Sequence, residues 1–253
     1  MLSALSEKFI EILQELEIQM DEDFLKNHPY FAIDGGSPQK CEDQFIAEIE
    51  INISRNGEGF IKWLTPIDQI KSRVQADSIK SNIEIPTIII VLESPHVKEF
   101  FDGREKRAQP MPAMGNTGTH IIDYFPELLM KYILQTKIKQ GVVTRRICDI
   151  ENGIYRVALL NTIQYQCSIG EKIEEYKEKI LSRCLNGESF LDDTIKRLKK
   201  LSPGIIINCC TIGKEDFRNM VQQKIDNNFS CLKLIGYHPS HMNFLIGLNK
   251  SEG

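Results

Sequence analysis

Tyr237-His238-Pro239-Ser240 closes a short apolar run, Leu232-Lys233-Leu234-Ile235-Gly236. Proline holds its own φ near one value and pushes the preceding residue toward extended geometry, so the His238 imidazole stands on a stiff turn past a strand. Glu93-Ser94-Pro95-His96 places a carboxylate and a second imidazole after another apolar run. Asn161-Thr162-Ile163 ends a third, and the loop from Met111 to His120 opens a helical pattern. Four of the five histidines (96, 120, 238 and 241) fall in these segments. A random scatter would not collect them there, so the group reads as one site. His238 and His241, three apart in a turn, could share a metal ion with another histidine. No Asp or Cys completes an obvious ligand set, so metal hydrolysis ranks last and no cofactor is expected.

The elements that must position these residues are legible from Pro86 onward. Thr87–Leu92 is a β-branched run expected of a strand buried on both faces. Similar runs lie at Arg156–Leu160, Gly204–Asn208 and Leu232–Ile235. Helical patterns occupy 119–135, 170–185, 188–201 and 214–226 between them. This alternation predicts an α/β fold: three layers, α/β/α, around a central, mostly parallel four-stranded sheet. In such sheets ligands bind beyond the carboxyl ends of the strands, where the polar segments fall. Residues 4–20 have the spacing of an amphipathic helix, while 42–64 mix helix-like and extended patches. We therefore expect residues 1–85 to form a largely helical extension packed on a core of 86–253.

Composition bounds the function. The chain has 253 residues, 42% of them apolar, enough for a full core. No apolar run is long enough to span a bilayer, and no leader pattern opens the chain, so a cytoplasmic protein without a membrane partner is expected. Seven scattered cysteines, without a C-x-x-C pair, argue against a disulfide framework and a zinc ribbon. Cys209-Cys210 reads as core packing. A net charge of −4 excludes a histone-like binder but leaves room for one basic groove. The cluster at Lys196, Arg197, Lys199 and Lys200 reads as a solvated helix face, where cations suit the end of the helix dipole. The cluster at Arg104, Lys106 and Arg107 lies nearer the Glu93–His96 motif.

Taken in order, these segments resemble the uracil-DNA glycosylase superfamily. Glu93-Ser94-Pro95 is similar to the Gly-Glu-Ala-Pro-Gly motif of its thermophile-type branch. Pro112-Ala113-Met114-Gly115-Asn116-Thr117-Gly118 is similar to the Pro-Phe-Val-Gly-x-x-Gly loop. Asn161 matches the strand-end Asn, and His238-Pro239-Ser240 the final motif. The resemblance covers about residues 86–245. It implies a monomeric DNA glycosylase that hydrolyses the N-glycosidic bond of a base flipped out of DNA. His238 would stabilise the departing base anion. Asn161 would read its pairing edge, with Ala113, His96 and Met114 around it. Pro95, Ser240 and His241 would contact the DNA, and Met242 would either fill the space left by the flipped base or simply pack in its loop.

The departures shape the expectation. The water-activating position of several branches aligns with Ser94, which cannot act as a carboxylate base; Glu93 or Asn116 would position the water instead. The base-stacking aromatic aligns with Ala113, losing a face worth roughly 1–3 kcal/mol and leaving room. Room suggests a bulky modified pyrimidine such as the glucosylated hydroxymethylcytosine of phage DNA, and hence antiviral defence. The alternatives are a uracil-DNA glycosylase of base-excision repair and a catalytically silent DNA-binding member of the fold. For single residues the plainer roles are a structural carboxylate at Glu93, a helix cap at Asn161, and structural packing at His120 and Tyr237.

Overall fold

The computed structural model describes residues 3–18, 31–34, 37–54, 58–72, 85–102, 104–139, 150–167, 173–211, 217–239 and 249–250. At its centre is β5 (Thr87–Leu92), in which every residue is buried. The parallel strands β8 (Gly153–Asn161) and β9 (Pro203–Asn208) flank it, and β10 (Leu232–Ile235) lies parallel beyond β9. The chain is thus a mixed α/β protein in which all four expected strands are present and adjacent.

The path between these strands places the helices. β5 leads through α4 (Asn116–Lys139) to β8 on one side. The chain then returns through α5 (Ile173–Asn186) and α6 (Ser189–Lys200) to β9 on the other side, and through α7 (Phe217–Asn228) to β10. The hand of parallel crossovers is nearly invariant, so reversing direction moves the helices to the opposite face. Two separate cores result. Phe125 and Leu129 of α4 pack on Ile88, Ile90 and Leu159. Ile180, Leu198 and Val221, from α5, α6 and α7, pack on Ile89, Val91 and Leu160. Cys209 and Cys210 are both buried, one in each core.

The sheet is larger than expected. It has seven strands, in the order β11-β10-β9-β5-β8-β3-β4. The added strands β3 (Gln44–Ile53), β4 (Gly59–Trp63) and β11 (Asn249–Lys250) all pair antiparallel. The expectation of a largely helical extension is corrected accordingly. Among the described residues before 86, the helices are α1 (Ala4–Glu15) and the short α2 (Ile67–Ser72). The remaining elements are β3, β4 and the small hairpin of β1 (Ile33–Asp34) and β2 (Ser37–Pro38). β3 alternates Ile49, Ile51 and Ile53 with Glu48, Glu50 and Asn52, a period of two that suits a strand covered on one face. α1 does form, begun by a Ser3 side chain that accepts the Ser6 N–H. It docks by stacking Phe9 on Tyr165, with ring centroids 4.8 Å apart. Three further short elements are β6 (Phe101–Asp102), β7 (Glu105–Lys106) and the four-residue α3 (Val97–Phe100).

Pro126 lies inside α4 and has no N–H to donate to the carbonyl of Ile122, four residues earlier. The indole N–H of Trp63 donates to that carbonyl instead, at 2.9 Å, while its ring stacks on Phe125. A helix defect thus becomes the anchor of β4. Trp63→Phe removes the donor and keeps a ring, and should cost about 1–3 kcal/mol. With Pro126→Ala, the helix can close its own bond and the same substitution should cost much less. Urea denaturation of the four proteins in this cycle measures the coupling.

Candidate active site

The strand path reverses between β5 and β9, which opens a crevice beyond their carboxyl ends. A cavity of about 370 Å³ lies there, within the size range of small-molecule sites. The end of β5 supplies Glu93, Ser94 and His96, and α3 supplies Lys98 and Glu99. Gly115, Asn116 and Thr117 enter at the start of α4, and Lys177 from α5. Thr211 follows β9, and His238 follows β10. Five segments distant in sequence therefore share one wall.

Backbone pairing continues past the strands and holds this wall in place. The Thr162 N–H donates to Leu92 O at 2.8 Å and the Ile163 N–H to Glu93 O at 2.9 Å. The Gly236 N–H donates to Asn208 O at 2.9 Å, setting the path into the His-Pro turn. That turn is tied to α4 as well, because His120 Nδ1 lies 2.9 Å from Pro239 O. His120 donates there in its Nδ1–H form and so anchors the turn carrying His238.

Two carboxylates are buried in the cavity wall. Glu93 is 5% exposed, and its Oε1 lies 2.6 Å from Lys177 Nζ. Glu99 is also buried and tethers two loops. It accepts the backbone N–H of Ala113 at 2.7 Å and the backbone N–H of His96. The cations near the mouth act on His96. Partial burial first, and then Lys98 and Lys177, lower its pKa below the ordinary 6.5. Neutral imidazole is therefore favoured at pH 7.

The expected site residues divide into three groups. Glu93, Ser94, His96, Asn116 and His238 line the cavity together. Pro95, Ala113, Met114 and Asn161 do not. Ser240, His241 and Met242 lie outside the described residues. Ala113 is 1% exposed and belongs to the core under α4. Its φ of 57° is in the left-handed region, which strains any residue with a Cβ. Its side chain packs in that core and does not line the cavity. Asn161 is buried beside Cys41, with Nδ2 at 3.8 Å from the sulfur and no partner for Oδ1 among the described residues.

Lys196, Lys199 and Lys200 are exposed, as a solvated helix face requires, but Arg197 is not. Its side chain is 10% exposed and pairs with Asp43 and Asp193, each at 2.6 Å. It also donates to the carbonyls of Asn161 and Thr162, at 3.0 Å each, clamping the end of β8. Burial pushes the Asp43 carboxyl up to about 6, against the pull of Arg197. Arg107 is likewise engaged, donating to Lys98 O at 3.1 Å.

Lys98, Glu99 and Lys177 are site residues that sequence reasoning missed. Glu99 carried a signal, since an acid three residues after a helix-opening residue commonly reaches back to its backbone. Lys177 carried none, because only the fold brings α5 to the end of β5. Among the described residues no cluster of three or more His, Cys, Asp or Glu could hold a metal ion. Nor is any described helix long and apolar enough to cross a membrane.

No family model, curated protein or solved structure matches this chain.

His96 provides a direct check of the cavity's electrostatics. Its imidazole should titrate below 6.5 by NMR, and nearer 6.5 in Lys98→Met. Since folding weakens proton binding here, the stability His96 contributes is present above 6.5 and is lost as pH falls through its folded pKa.

Proposed function

We propose that the chain is a DNA glycosylase that hydrolyses the N-glycosidic bond of a pyrimidine flipped into this cavity. The observation that carries the reading is the meeting of Glu93 and His238 in one wall, beyond the ends of β5 and β10. The ordered motif resemblance and the adjacent parallel strands β8-β5-β9-β10 support it. In this reading Glu93 accepts a proton from water as the water oxygen bonds to the sugar C1′. The C1′–N bond breaks, and its electron pair leaves with the base. His238 donates a hydrogen bond to the oxygen of that base, where negative charge gathers. Glu93 suits the base role better than Asn116, because it is buried in the wall while Asn116 is exposed. Ser94 lines the cavity without acid–base capacity.

A DNA partner rests on the same reading. Lys98 supplies positive charge beside the cavity, suited to a flanking phosphate. Asn161, the base reader that the resemblance implies, is buried outside the cavity wall and takes no part in this reading. With Ala113 committed to the core, nothing in the cavity wall selects a bulky base over uracil. Glucosylated hydroxymethylcytosine and an antiviral role therefore stand as one arm of the test.

The test is abasic-site formation, read by alkaline strand cutting, in DNA carrying uracil and in DNA carrying glucosylated hydroxymethylcytosine. The wild type should cut one of them. His238→Ala should slow turnover by about 10²–10³, the usual cost of losing such a donor, with DNA binding retained. Cutting confined to glucosylated DNA would point to defence against phage, and cutting confined to uracil DNA to repair. Failure of the wild type on both would overturn the reading.

A further inference from the structure

We infer that Lys177 is a positioning residue for Glu93, and that the ion pair is the unit that activates water. The inference deepens the glycosylase reading and rests on it for the reaction. Glu93 is 5% exposed, and a carboxylate so enclosed takes up a proton unless a cation or donors hold it ionised. Lys177 Nζ lies 2.6 Å from its Oε1 and comes from α5, a different crossover from the one carrying Asn116. The other titratable neighbours do not replace it. Glu99, on α3, is anionic and engaged with the N–H groups of His96 and Ala113. His96, at the end of β5, is held toward its neutral form. Lys98 and His238 also line the cavity, on other segments. Cys167 and Cys210 also feel the Glu93 charge, and burial pushes both thiols up to about 12, so they remain neutral.

Geometry also separates the roles of the two groups. Lys177 is 31% exposed on its side chain and lines the cavity, while Glu93 is enclosed. The ammonium can therefore keep its proton and its orientation while the carboxylate receives one from water.

Two measurements on the full chain test the inference. The first is single-turnover excision as a function of pH, on the DNA that the wild type cuts. In Lys177→Met the acid limb should move to higher pH, since a neighbouring cation favours the ionised carboxylate. Lys177→Arg should restore the limb, and KM should change little in either variant. An unchanged profile, or a rise in KM with kcat intact, would overturn the inference and make Lys177 a phosphate contact. Borohydride trapping of a DNA adduct that disappears in Lys177→Met would overturn it too, in favour of a nucleophilic amine. The second measurement needs no activity. The side-chain carboxyl ¹³C signal that is absent in Glu93→Gln should titrate at higher pH in Lys177→Met than in the wild type, with the fold checked by denaturation. An unmoved signal sinks the pair even if some DNA is cut. A moved signal with no DNA cut keeps the pair and removes the glycosylase reading.

Discussion

Burial of β5 on both faces is the constraint from which the rest of this structure follows. Six consecutive enclosed residues must be covered by helices above and below. The chain meets that demand by running to one side of β5, then back past it to the other. The fixed hand of crossovers sends α4 to one face and α5, α6 and α7 to the other. The same reversal leaves a crevice where the loops diverge, and the polar strand ends fall there. Packing and site are two results of one topology.

Inside the crevice, local charge is balanced by groups from separate elements. Lys177 of α5 meets Glu93 of the β5 end, and Glu99 of α3 ties His96 to Ala113. Arg197 of α6 clamps the end of β8 and meets Asp43, from the segment preceding β3. The Lys177–Glu93 and Arg197–Asp43 ion pairs link elements far apart in sequence, while Glu99 ties neighbouring loops. Buried charges are costly unless paired and hydrogen-bonded, so these links restrict how the loops can sit. The net charge of the chain conveys nothing of this arrangement.

The α/β alternation after Pro86 could be read from the sequence because its signals are local. Thr87–Val91 is a continuous β-branched run, and α6 has strong helical periodicity. The clustering of polar residues at strand ends was equally legible, and it brought Glu93, Asn116 and His238 into one cavity. The first third was read less well. β3 carries a clear alternation, but strands β3 and β4 gain their place only by pairing across to β8 and onto α4. Ala113 misled for a related reason. Its small size looked like space in a pocket, whereas its side chain packs in the core under α4.

The sequence by itself determined where the central strands and their helices lie, because hydrophobic period and β-branching act over a few residues. It also determined which chemical groups end those strands. Tertiary structure alone decided which charges meet. Lys177 and Glu93 are separated by one crossover and part of the next, and Arg197 and Asp43 by 154 residues. Pairing at such distances depends on strand order and crossover hand, which no local pattern encodes.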